Sequence, residues 1–417
     1  MCRRLLTLIS CGGMCVGHTG YAQPRDSLAG ETAAEALKRS FATEAYNLQY
    51  GPVRYRTGVH VGVSYTDNVF HSHDRKEDVL IKPETTLSAL WRITELNALR
   101  LSVGLGYEWY LENQELNGDA PLVNPGSELT FNLFAGDFHI QFHERFSYQE
   151  SLFFNSLSGQ NARFYNLNDA GKFSRLNNEA GFQADWDLNE VVLSAGYNHE
   201  DFISTTGTFD YLDRASEWFN ASARLALGDA VGAGVESQAG WHNYRRETRL
   251  NDNWRVRVGP FVEATLPGNL SLRAGGGFQM ARYDAAAPGN NDFDSYYGYA
   301  SLNQDTRLFT HALTAGREHL LGDNANNLKN TYARYSIHSP LIDHFDVGAD
   351  VSVNFAEEFG GDFAEDYTYY GAGARVGAQF HEYWRADLGY EFRLKESDLA
   401  FRDFHRNRLT VSVTCSF

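Results

Sequence analysis

From about residue 54 to the C-terminus, apolar and polar side chains alternate with a period of two. In "NALRLSVGLGYEWYL", Leu99, Leu101, Val103, Leu105, Tyr107 and Trp109 alternate with Arg100, Ser102, Gly104, Gly106 and Glu108. "WRADLGYEFRL" repeats the pattern from Trp384, and "RYRTGVHVGVSYT" from Tyr55. Successive side chains of a strand point to opposite faces, so each segment has one apolar and one polar face. About eighteen such segments begin near 54, 79, 98, 127, 137, 175, 190, 215, 230, 253, 270, 294, 307, 328, 342, 367, 384 and 404. Short connectors (94–97, 187–190, 227–230, 266–269, 381–384) take turns with long polar ones (149–174, 201–214, 284–293, 356–366). That layout predicts an all-β fold, a transmembrane antiparallel up-and-down β-barrel of about 18 strands, with 16 as the alternative count. Short turns would lie in the periplasm and long loops outside the cell, and an even count returns both ends to the periplasm.

A soluble β-sandwich also uses strands with one apolar face. Three features disfavour it. Trp91, Trp109, Trp186, Trp241, Trp254 and Trp384 sit near strand ends, as in the aromatic girdles of membrane barrels. The polar face is rich in charge and glycine, and no Greek-key excursion interrupts the strand order. No apolar run reaches the roughly 18 residues of a membrane-spanning helix. A net charge of -17 argues against nucleic-acid binding.

The N-terminus reads differently. Arg3 and Arg4, an apolar stretch and small residues up to Ala22 have the layout of a secretory signal over 1–22. Its removal would take the charge from -17 to -19 and leave Cys415 as the sole cysteine, with no internal disulfide. Leu8-Ile9-Ser10-Cys11 also resembles a lipoprotein attachment box, after a very short apolar core. Residues 23–53 form a periplasmic segment, in which Thr32 and Glu35 make a capping-box signature for a short helix or a lumen plug. The barrel is expected over 54–417. Within it Glu144 falls on the apolar face, which predicts a β-bulge or a position above the apolar band.

Tyr65, Asp67 and Asn68 of "YTDNVF" end the first strand, before a charged loop ("HSHDRKED") and the strand "VLIKPETTLSALWRI". This order resembles the type-two β-barrel porin family and the barrel proteins associated with exopolysaccharide export. The resemblance spans about 54–417 and implies an outer-membrane barrel, with no substrate. From the residues alone, Asp67-Asn68 reads equally as a loop-opening turn, since Asx side chains bond their own backbone.

Alternation sends Arg100, Glu108, Arg145, Arg224, Glu236, Arg255, Arg257, Arg273, Arg375, Arg385, Asp387 and Glu391 to the lumen, and with them Glu217. The mixture is nearly balanced. It would set a transverse field across an aqueous channel or fill the interior with ion pairs. Tyr110, Phe134, Trp218, Tyr299 and Tyr332 are candidate stacking surfaces for polar solutes such as sugars. The acidic stretches 355–366 and 283–294 carry no calcium motif, and the two histidines of 71–74 are a thin metal signal. No cofactor, metal site or catalytic constellation is expected, so the chain is read as no enzyme.

Two functions follow: a porin-like channel for passive passage of small polar solutes, or a non-enzymatic structural or assembly component of exopolysaccharide export. Expected partners are outer-membrane lipid, lipopolysaccharide, the barrel-assembly machinery and small polar solutes or polysaccharide, in the outer membrane of a Gram-negative bacterium. The chain ends "RLTVSVTCSF". Its terminal Phe417, after alternating apolar residues, resembles the C-terminal membrane-insertion signal of bacterial barrels. Cys415 reads as a small apolar residue on the lipid side.

Overall fold

In the computed structural model each alternating segment hydrogen-bonds to the next in antiparallel register, and the last pairs with the first. The structure describes residues 46–417 apart from 151–164, 168–171, 229, 247–248, 285–291, 307, 343 and 362–363. The wall has 18 strands. The first six are β1 (Val53–Thr66), β2 (Asp78–Arg92), β3 (Ala98–Gly106), β4 (Glu128–Ala135), β5 (Phe138–Gln149) and β6 (Arg175–Asp187). Next come β7 (Val191–Ser204), β8 (Arg214–Ala226), β9 (Val231–Tyr244), β10 (Asn253–Leu266), β11 (Leu270–Tyr283) and β12 (Phe293–Asp305). The ring ends with β13 (Thr310–Leu321), β14 (Asn327–Ile342), β15 (Phe345–Phe359), β16 (Glu365–Gln379), β17 (Trp384–Ser397) and β18 (Phe404–Ser416). Strand starts fall within three residues of those read from the alternation.

Closure runs from Gly58 opposite Ser416 to Thr66 opposite Arg408. At this seam the first and last strands leave no edge to face lipid, where an unpaired backbone group would cost several kcal/mol. Val59, Val61, Val63 and Tyr65 of β1 are exposed on the outside, while Gly58, Gly62, Ser64 and Thr66 between them are buried. On β15 the exposed apolar positions begin at Phe345 and end at Phe355, and the next outward side chain, Glu357, pairs with Lys329 of β14. The ten steps between them, at about 3.4 Å each and a tilt of about 40°, rise about 25 Å, the height of an apolar membrane band. Trp91, Trp109, Trp186, Trp241 and Trp384 are all exposed. The turns on one side are tight. Asn189 holds φ 71° between β6 and β7, a left-handed conformation that Asn tolerates better than most residues.

Three expectations need correction. The connector 356–366 is shorter than predicted, because Glu357 pairs in register with Asp366, and Glu358 with Glu365. Its acids therefore lie mostly in strands. Glu144 has no bulge: the ladder runs unbroken past it, and it stands exposed between Phe142 and Phe146, accepting from Asn178 at 3.5 Å. Glu217 faces outward, since its neighbour Trp218 takes the inward position. It accepts from the Tyr197 hydroxyl (2.6 Å) and lies 2.8 Å from His199. Cys415 is in register with outward Val59 and Trp384, yet it is buried. The helix at Thr32–Glu35 lies outside the described residues. Leu48–Tyr50 makes a small hairpin with the foot of β1.

The loop after β1 folds over the wall. His71 lies beside the Arg406 guanidinium of β18. Burial, then that guanidinium, holds its pKa well below 6.5. The undocked loop takes up a proton near 6.5 and the docked loop only well below it. Docking is therefore fully present above pH 6.5 and is lost as the pH falls beneath it. A spin label at His73 should grow mobile between pH 7 and pH 4.5, and His71→Phe should abolish that change. Equal mobility at both pH values would exclude the coupling.

Candidate functional site: the lumen and its outer mouth

The face opposite the exposed apolar residues carries the charges, and neighbouring strands bring them into pairs. Arg145 on β5 bonds Glu128 (2.8 Å) and Glu179 (3.0 Å). Arg273 on β11 reaches Glu236 (3.2 Å) and Glu263 (3.5 Å), and Arg224 also pairs with Glu263. Arg385 bonds Asp346 (2.7 Å) and Asp387 (2.6 Å), while Arg375 lies 3.5 Å from Asp346. Glu391 takes Arg393 (3.1 Å) and Arg406. Glu108 meets Lys82 at 3.4 Å and the Tyr110 hydroxyl at 3.2 Å. Arg100 is half-buried on β3. Arg257 lies over the Tyr297 ring, 5.5 Å from its centroid. Arg255 differs from the rest. It is buried, and it donates to neutral groups: Asn253, Tyr283, Asn326 and Asn327.

The predicted stacking rings are largely occupied by the wall itself. Phe134 stacks on His139 at 4.3 Å, and Trp218 meets His242 edge-on at 4.6 Å. The Tyr299 hydroxyl donates to Glu236 (2.9 Å), and Arg334 covers Tyr332. Trp218 can lie against β9 because Gly240 is beneath it: a Cβ there would stand 2.6 Å from the ring.

Tyr65, Asp67 and Asn68 join the first strand to the last. The Tyr65 hydroxyl donates to Glu77 at 2.6 Å. Asp67 accepts from the Asn407 backbone and side-chain amides, both at 2.7 Å. Buried Asn68 donates to the carbonyls of Ser72 (2.8 Å) and His405 (3.0 Å) and accepts from the Ser72 N–H. The pair therefore serves both as a turn and as a strap across the closure. Phe417 completes that closure below. Its N–H donates to Thr57 (2.7 Å), its carbonyl accepts from Thr57 (3.0 Å), and its ring stacks on Tyr383 at 6.0 Å.

The outer mouth holds what sequence reasoning missed. Residues 165–167 of the long connector after β5 cross the ring. On the near side the Tyr165 ring packs on Phe173 (5.2 Å) and Phe202 (6.0 Å), under the Arg175 guanidinium. On the far side, nine or so strands away, Asn166 is gripped by β15–β17 and two loops. Its side-chain amide donates to Glu358 (3.1 Å) and Glu365 (2.5 Å), and its side-chain oxygen accepts from Lys395 (2.6 Å). Its backbone N–H donates to Asp323 (2.9 Å), and its carbonyl accepts from Arg402 (2.8 Å). Lys395 and Arg402 also pair with Glu365 at 2.6 and 2.7 Å. Leu250 and Asn251 form a second inward element, where the Asn251 N–H donates to Asn326 (2.9 Å). An apolar cluster including Phe173, Phe202, Phe209, Tyr211, Leu212 and Tyr244 fills the space beside Tyr165. No sequence motif marks Asn166. The only signal was the length of its connector.

Among the described residues no group of three or more His, Cys, Asp or Glu side chains is arranged to hold a metal. No protein-family model matches the chain, and no curated protein matches it. Solved structures do. The chain is similar to the outer membrane protein OpdK of Pseudomonas aeruginosa at 13% identity, covering 87% of this chain and 99% of that one, with a TM-score of 0.48. OpdK with vanillate gives 12% identity, 87% and 99% coverage and 0.49. OccK2 (OpdF) of the same organism, in complex with glucuronate, gives 11%, 88% and 98%, and 0.49. Each likeness runs over nearly the whole of the other chain, and none carries a solute or a partner across to this one.

Proposed function

We propose that this protein is an outer-membrane channel for the passive passage of small polar solutes, with a constricted outer mouth. The observation that carries the reading is a closed ring of 18 strands whose inner face is set with paired charges of both signs. Rings of that size enclose water rather than a packed core. Facing arginines and carboxylates put a transverse field across it, which orients polar solutes and favours neither ion sign strongly. The strut through Asn166 narrows the path at its outer end. The outward band meets outer-membrane lipid and lipopolysaccharide, and Phe417 is the residue read by the barrel-assembly machinery.

Planar-bilayer recording of the purified protein tests the reading. Small discrete conductance steps with weak ion selectivity are expected. A bilayer that stays silent with assembled barrel present would refute the channel. That outcome would favour a structural role.

A further inference from the structure

The upper ends of β12 and β13 part company. Their ladder stops at Gly298 opposite Arg317, although β12 stays paired with β11 up to Phe293 and β13 with β14 up to Leu321. A side chain takes the place of the missing strand contact. The Gln279 amide of β11 donates to the His319 carbonyl (2.7 Å), and the His319 N–H donates back to its oxygen (3.3 Å). This holds the His319 ring against Phe293 at 4.6 Å, buried, with neither ring nitrogen bonded among the described residues. A small recess opens beside it, lined by Trp218, Gln238, Arg255, Arg257, Gln279 and His319.

Arg255 is the second unsatisfied group there. It is 5% exposed, its Nε and Nη2 hydrogens go to neutral partners, and its Nη1 has no partner among the described residues. Among the described residues no carboxylate pairs with it, unlike Arg145, Arg273 and Arg385. A buried guanidinium without a counter-charge is costly, and its planar fork suits an oxyanion. Arg257 adds a second positive charge along the same recess.

We infer that the recess is a binding subsite for a small oxyanion, either the carboxylate head of a solute or a free inorganic anion, held by Arg255 and His319. Arg255 supplies a charge-assisted bond from Nη1. His319 donates from whichever ring nitrogen carries its proton. Trp218 offers an apolar wall to the body of a solute. The inference deepens the channel reading and depends on it only for the ligand's route in.

Calorimetric titration of the whole protein in detergent tests it, at constant ionic strength over a chloride background. Sodium acetate and sodium phosphate are the two probes. Saturable binding of acetate alone assigns the site to a carboxylate solute, and of phosphate alone to an inorganic ion. Arg255→Gln should weaken binding about tenfold or more, the loss expected for one charge-assisted bond. His319→Phe, which keeps the stack on Phe293, should weaken it several-fold. Arg246→Gln, at an exposed loop position, should leave it within about twofold. If neither anion binds saturably, or if His319→Phe and any assembled Arg255→Gln both bind like the parent, the subsite is overturned. Binding without bilayer conductance would sink the channel and spare the subsite. Conductance without binding would do the reverse.

Discussion

Asn166→Ala should convert a constricted barrel into a wide-open one. The substitution removes two donors from Glu358 and Glu365 and one acceptor from Lys395. All four residues are buried, with Glu365 and Lys395 paired at 2.6 Å. Hydrogen bonds to charged groups contribute about 1.5–3 kcal/mol each, so docking of the strut should weaken by about 4 kcal/mol or more. A shift of that size changes a closed-to-open ratio by about a thousandfold. Bilayer traces should show larger, longer steps than the parent, at unchanged thermal stability of the wall. The wall does not depend on the strut, since its ladders run strand to strand. Traces indistinguishable from the parent would mean that Asn166 does not limit passage. Lys395→Met should open the mouth as well, and should also destabilise it. It removes one of the two cations paired with buried Glu365 and leaves Arg402, and breaking a buried pair costs up to about 3–5 kcal/mol.

Deleting Phe417 should lower the amount of assembled protein in the outer membrane several-fold. Two effects act together. The deletion removes the last backbone pair with Thr57, where the final strand meets the first. It also removes the terminal ring, which stacks on Tyr383 and is exposed on the outer face. Heat-modifiable migration on a gel reports the assembled fraction. Phe417→Tyr keeps an aromatic terminus and the backbone pair, and should assemble like the parent. If the deletion assembled equally well, neither the closure nor a terminal signal would require that residue.

The barrel was legible because its rule is local. One side of every strand meets lipid and the other meets the lumen, so the pattern is written residue by residue and a few segments suffice to read it. Val59, Val61 and Val63 could face only one way, and the alternation located every strand start closely. The charges expected in the lumen were read from the same alternation. The alternation also failed locally: assigning both Glu217 and Trp218 to the lumen broke the period, and the structure turned Glu217 out.

What the sequence alone determined is the wall: its class, its strand order and which face of each strand meets lipid. The tertiary structure decided what happens inside it. Asn166 meets Glu358, Glu365 and Lys395 at separations of 192, 199 and 229 residues. The seam at Gln279 and His319 depends on two strands ceasing to pair. Neither has a period or a motif, because both depend on where a closed ring brings distant residues together. That is set by strand number, stagger and loop path, which no single segment encodes.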